Sequence, residues 1–159
     1  MLDPVFAEEE MCPIGVASRL LADRWVTLII RDIALFDRRT FNDLLRNNRE
    51  GISSASLASR LQYMVQIDLL HVVKSQEHAQ KKLYYLSEPA IALVPIIFQL
   101  AGWSAAFRRP SADVVALLSP YLSNDERRME YILKKLRRIN IDKDIDPEPL
   151  WWTSEWRQI

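Results

Sequence analysis

Between Thr40 and Ser87 the chain changes its apolar pattern twice, and this stretch narrows the fold more than any other. Thr40 is placed to cap a short helix carrying Phe41, Leu44 and Leu45, which breaks in the polar run Asn47-Asn48-Arg49-Glu50-Gly51. A second helix starts from Ser53 or Ser54, because Leu57, Leu61 and Met64 fall at i, i+4 and i+7 and must share one buried face. At about 100° per residue, Ala55, Ser59, Gln62 and Gln66 then point away from that face, with Ser56 and Tyr63 on one flank and Arg60 on the other. Two helices joined this way predict a helix-turn-helix. Two β-rich runs follow, 70–75 and 82–87, separated by the polar loop Gln76 to Lys81, and these predict a wing-like hairpin.

The flanking segments are helical. Pro13 suits a first helical position, with Ile14, Ala17, Leu20 and Leu21 spaced behind it, and Asp23 precedes a second helix running from Arg24 to about Leu35. After the hairpin a long apolar helix runs from Ser87-Glu88-Pro89 to about Phe107, with a kink expected at Pro95. Ala112 to Leu118 reads as a short helix stopped by Pro120, and Ser123-x-x-Glu126 as a capping box opening a helix through about Ile139, with Met129, Ile132, Leu133 and Leu136 as its stripe. The expected fold is mainly α with a small β-hairpin (α+β): a winged helix-turn-helix with extra C-terminal helices. We divide the chain into an N-terminal arm (1–11), a winged helix-turn-helix DNA-binding and dimerisation domain (12–109) and a helical extension (110–159) ending in Trp151, Trp152 and Trp156.

Composition removes several function classes. Gly15, Gly51 and Gly102 are the three glycines, too far apart for a phosphate-cradling loop. One cysteine excludes a disulfide lattice or a CxxC zinc site, and His71 and His78 have no cysteine cluster beside them, so neither a metal nor a cofactor is expected. No nucleophile, base and orienter are spaced as an enzyme requires. No apolar run is read as approaching the about 18 residues of a membrane helix, and Met1-Leu2-Asp3-Pro4 lacks a signal-peptide layout, so the expectation is a soluble, cytoplasmic, nucleoid-associated protein without a membrane partner. The formal net charge is zero, yet residues 51–110 carry six Lys or Arg against three acids, so the excess of base lies on the predicted motif.

The order of elements, and particular residues within it, resemble the HxlR-type regulators. The residues carrying the resemblance are Cys12-Pro13, Arg24-Trp25, Leu28 to Asp32, Arg38-Arg39-x-Phe41-Asn42-Asp43-Leu44, Gly51-Ile52-Ser53, Leu57, Arg60-Leu61, Tyr84-x-Leu86-Ser87 and Pro95. The resemblance spans about residues 12–107 and implies a homodimeric transcription regulator with the first and last helices of the domain at the dimer interface. Ala55 stands where the family commonly has a basic residue. Residues 110–159 lie beyond the family's usual domain.

The candidate DNA contacts follow from the motif. The recognition helix, about 53–67, offers Ser53, Ser54, Ser56, Ser59, Arg60, Gln62 and Tyr63 to the major groove, all able to bond phosphates or base edges. Arg60 suits a phosphate contact or an intramolecular ion pair equally well. Arg38 and Arg39 precede the motif, and Lys81 and Lys82 sit on the wing (about 70–87), where both pairs could neutralise phosphates. Arg127, Arg128, Lys134, Lys135, Arg137 and Arg138 form a further basic face, read first as solvated. Cys12 is a candidate redox sensor: the helix dipole favours its thiolate and Glu8, Glu9 and Glu10 oppose it. The expected partners are double-stranded DNA, a second copy of the chain, and a small-molecule or redox effector. The competing reading is a winged-helix protein-interaction module with weak or no DNA binding, supported by the zero net charge and Ala55.

Overall fold

The computed structural model of the chain describes residues 12–75, 81–122 and 125–144. In order these form α1 (Pro13–Leu21), α2 (Arg24–Phe36), α3 (Phe41–Arg46), α4 (Ser54–Gln66), β1 (Leu70–Lys74), β2 (Lys82–Leu86), α5 (Glu88–Phe107), α6 (Ala112–Leu122), α7 (Glu126–Arg137) and a π-helical turn, Arg138–Asp142. This is the winged helix-turn-helix order with added C-terminal helices.

Local chemistry sets the boundaries. Asp23, Thr40, Ser53 and Ser87 each accept a backbone N–H in the first turn of the helix that follows, at 3.0, 3.1, 3.1 and 3.4 Å. A cap of this kind contributes about 1 kcal/mol to its helix. Gly51 takes φ +77°, where a side chain would be strained, and lets the chain turn from α3 into α4 while Asn48 Oδ1 accepts the Ile52 N–H. The hairpin is antiparallel, pairing Leu70 with Leu86, Val72 with Tyr84 and Lys74 with Lys82.

One hydrophobic cluster holds these elements. Val26, Ile30 and Ile33 of α2 lie at its centre, α4 adds Leu57, Leu61 and Met64, the hairpin adds Leu70 and Leu86, and α5 adds Ile91, Val94 and Phe98. Tyr121, Ile132 and Leu136 belong to the same cluster, so the extension as far as 144 packs on the domain rather than trailing from it. Of the expected stripe on α7, Ile132 and Leu136 are fully buried and Met129 and Leu133 are packed against the core.

Three expectations need correction. Pro120 does not stop its helix: α6 continues to Leu122. Proline cannot bond the carbonyl of Ala116, and the Ser119 hydroxyl donates to it instead at 2.8 Å, while Tyr121 anchors the last turn by stacking on Phe98 with ring centroids 5.3 Å apart. The cap of α7 is Asp125, which accepts from the N–H groups of Arg127 and Arg128; Ser123 lies outside the described residues. The chain does hold an apolar run of membrane length, since α5 has 20 residues and an 18-residue stretch of it has a mean hydropathy of 1.8. Its first half is a core helix, with Ala90, Ile91, Val94 and Phe98 buried, and length and composition alone make it resemble a membrane span.

Candidate nucleic-acid interface

The outward side of α4 is small and polar. Ser54, Ala55, Ser59, Gln62 and Gln66 are exposed, Tyr63 is half-buried against the core, and Leu57, Leu61 and Met64 anchor the opposite side. Ser53 and Ser56 are partly engaged already, because the Ser53 hydroxyl both caps the helix and bonds the Ser56 hydroxyl at 2.9 Å. Of the two readings open for Arg60, the structure has the ion pair: its guanidinium meets Asp23, which tethers α4 to the cap of α2.

The two basic pairs separate. Lys81 and Lys82 are exposed and line, with Thr40, Phe41, Asn42 and Tyr84, a cleft of about 300 Å³ between the start of α3 and the wing. Arg38 instead turns toward Asp32, 3.3 Å away, and donates to the Asn47 carbonyl at 3.0 Å. Arg39 is buried, 8% exposed, and donates to Asp37 at 2.5 Å and to Asn140 at 2.9 Å while its guanidinium lies over the Tyr85 ring at 4.7 Å. Inward orientation takes Arg39 out of the expected phosphate contacts, and Arg38 is largely committed to the domain.

Lys74 is the residue that sequence reasoning missed. It is exposed and faces Lys82 across the ladder, so three lysines gather on the wing. The hairpin register would have revealed it once the strand ends were known.

Behind the face, an ionic network fixes the helix-turn-helix to α2. Arg31 bonds Glu50 at 2.5 Å and Asp32 at 2.8 Å, and Arg24 donates to the Glu50 carbonyl at 3.1 Å. The hydrogen bond from Arg31 holds the Glu50 carboxyl below its ordinary range. Burial pushes the Asp32 carboxyl up, against the lowering effect of Arg31.

Compared with known proteins, the sequence matches the HxlR-like helix-turn-helix family over residues 20–112. The chain belongs to this family. It is similar to two uncharacterized HTH-type transcriptional regulators, Mb3122 of Mycobacterium bovis and Rv3095 of Mycobacterium tuberculosis, each 32% identical over 105 residues, which is 65% of this chain and 65% of the relative. Its fold is like that in the crystal structure of PA1607, with a TM-score of 0.57 at 22% identity over 65% of this chain and 70% of that one. The HxlR-like region contains α2 to α5 whole and ends where α6 begins. The packing of α7 and the π-helical turn on it comes from residues outside that region.

Several expectations rest on other ground. Cys12 is free and exposed at the start of α1. Among the described residues no group of three or more His, Cys, Asp or Glu is arranged to hold a metal ion. The basic face on α7 is partly consumed: Lys135 is buried, Arg137 pairs with Glu88 at 2.6 Å and Arg138 with Asp144 at 2.6 Å. His78 and the three tail tryptophans lie outside the described residues.

Proposed function

We propose that the chain is a DNA-binding transcription regulator that acts as a homodimer through residues 12–109, with α4 in the major groove and the wing on the backbone. The observation that carries this reading is the clustering of Lys74, Lys81 and Lys82 on the wing, where the last two line a cleft with the start of α3, in a motif whose α4 also presents an exposed polar face. Like charges placed opposite one another on a ladder cost stability, so a wing that gathers three of them suits a polyanion. Ser54, Ser59 and Gln62 are the base-edge candidates, with Ser53, Ser56 and Tyr63 beside them. Lys81 and Lys82 carry the phosphate contacts, and Arg38, Arg39 and Arg60 act chiefly by holding the domain's shape. The reading assigns the chain no catalytic role and places it on the nucleoid in the cytoplasm.

Support for a dimer comes from the second half of α5, where Leu100, Trp103 and Phe107 are 47, 51 and 66% exposed. On α1, Ile14 is 78% exposed. Apolar surface of this kind is what a second copy covers, and two recognition helices then enter successive grooves about 34 Å apart. A small-molecule or redox effector acting there, through Cys12 in the redox case, needs a coupling of only about 1 to 3 kcal/mol.

The test is selection of genomic fragments on the purified protein at low and near-physiological salt. Recovery of a two-fold-symmetric sequence is the expected result. Retention of no fragment at either salt would favour the protein-interaction module, for which the zero net charge speaks.

A further inference from the structure

The segment following α7 returns to the base of the wing. Asn140 is 1% exposed, and its Oδ1 accepts two hydrogen bonds from regions far away in sequence: one from the Leu86 N–H at 3.0 Å and one from Arg39 Nη1 at 2.9 Å. Its amide donates to the Leu136 carbonyl at 2.9 Å, which fixes the side chain in the orientation that presents this oxygen. Leu86 ends the second wing strand, and the Arg39 carbonyl accepts the Tyr84 N–H of the same strand at 2.8 Å. One buried oxygen therefore ties the wing to the residue that precedes the cap of α3. Nearby contacts point the same way, since Arg137 grips Glu88 just past the wing and Lys143 lies 5.9 Å over the Tyr85 ring.

Lys81 and Lys82 stand at the other end of this strand, across the cleft from Thr40 and Asn42. The angle of the strand at Leu86 sets where these lysines lie relative to α3 and α4. We propose that Asn140, which lies outside the HxlR-like region, is a positioning residue for the DNA-binding surface. It holds the wing at the spacing that lets the wing lysines and α4 contact one duplex together. The inference rests on the DNA-binding reading above. It adds that the C-terminal extension tunes the phosphate contacts without touching DNA.

The experiment measures the affinity of the full chain for a labelled mixed-sequence DNA duplex over a salt series, for the wild type, Asn140→Leu and Asn140→Asp, each confirmed folded by circular dichroism. The logarithmic salt slope falls by about 0.9 for each phosphate that the protein no longer neutralises. Asn140→Leu, which removes the shared acceptor, is expected to bind about tenfold more weakly with a slope lower by roughly 0.9 to 1.8, equivalent to one or two phosphates. Asn140→Asp keeps an acceptor for Leu86 and Arg39 while losing the bond to the Leu136 carbonyl, and is expected to keep more of the wild-type slope than Asn140→Leu. In a background of Lys81→Ala and Lys82→Ala, Asn140→Leu should produce little further weakening, because the lysines it positions are already absent. Should Asn140→Leu fail to fold, Asn140→Ser, which leaves a hydroxyl in the buried site, takes its place in the same cycle. A folded Leu or Ser variant with the wild-type slope, or effects that add fully to those of the lysine changes, would overturn the inference. A wild type with no salt-dependent affinity would overturn the DNA-binding reading itself.

Discussion

Arg38-Arg39 and Lys81-Lys82 are the two basic pairs that flank the motif in sequence, and the fold uses them in opposite ways. The arginines point inward, onto Asp32, Asp37 and Asn140, and the lysines stay in solvent beside the cleft. The difference follows from their chemistry. A guanidinium is planar, weakly hydrated and carries five donors, so it can be buried if acceptors surround it, whereas an ammonium is a strongly hydrated point charge. Charge counting along a sequence treats the pairs alike, yet one builds the domain and the other remains available to a ligand.

The largest effect that would test this contrast is at Arg39. Arg39→Met should destabilise the fold by about 2 kcal/mol, since it takes one of two donors from the buried Asn140 oxygen and leaves the exposed Asp37 carboxylate unpaired. Chemical denaturation reads this directly, and a loss under about 0.5 kcal/mol, the usual range for a surface change, would put Arg39 on the surface after all. Lys81→Ala with Lys82→Ala should do the reverse. Stability stays within about 0.5 kcal/mol, while affinity for duplex DNA falls about tenfold and the salt slope drops by about 1.8.

A smaller effect is expected in the network beneath the face. Glu50→Gln should cost about 1 kcal/mol, because the pair with Arg31 is roughly a quarter exposed on each side. The sign of its pH dependence follows from the depressed carboxyl. The contribution of Glu50 is present above its ordinary value of 4.5 and is lost as pH falls through the lower folded value, so wild type and Glu50→Gln should converge in stability on acidification. Urea titrations across that range check it. Least of all, Arg137→Ala should change stability by no more than about 0.5 kcal/mol, because its bridge to Glu88 is half exposed.

The contrast between the pairs also marks where sequence reading reached its limit. Caps are local, so Thr40, Ser53 and Asp23 could be placed from a few neighbouring residues, and the buried face of α4 followed from three apolar positions. The wing was legible because β-rich runs flank a polar loop. The fate of Arg39 was not, since its decisive acceptor lies 101 residues away and asparagine carries no local signal of burial. Pro120 misled for a related reason: its missing bond is made good by the hydroxyl beside it, a compensation that a breaker rule ignores. The long apolar helix was legible too, but its uncharged stretch from Pro89 to Phe107 was not set against the length of a membrane span.

The Asn140 contacts also bear on how the molecule is made. As a chain leaves the ribosome, the helix-turn-helix and hairpin emerge well before residue 140, so the Leu86 amide and the Arg39 guanidinium must wait for their acceptor. Closing a loop of this length costs entropy only logarithmically, but contacts distant in sequence are formed late. Until that turn arrives, the nascent domain holds two polar groups without their shared acceptor.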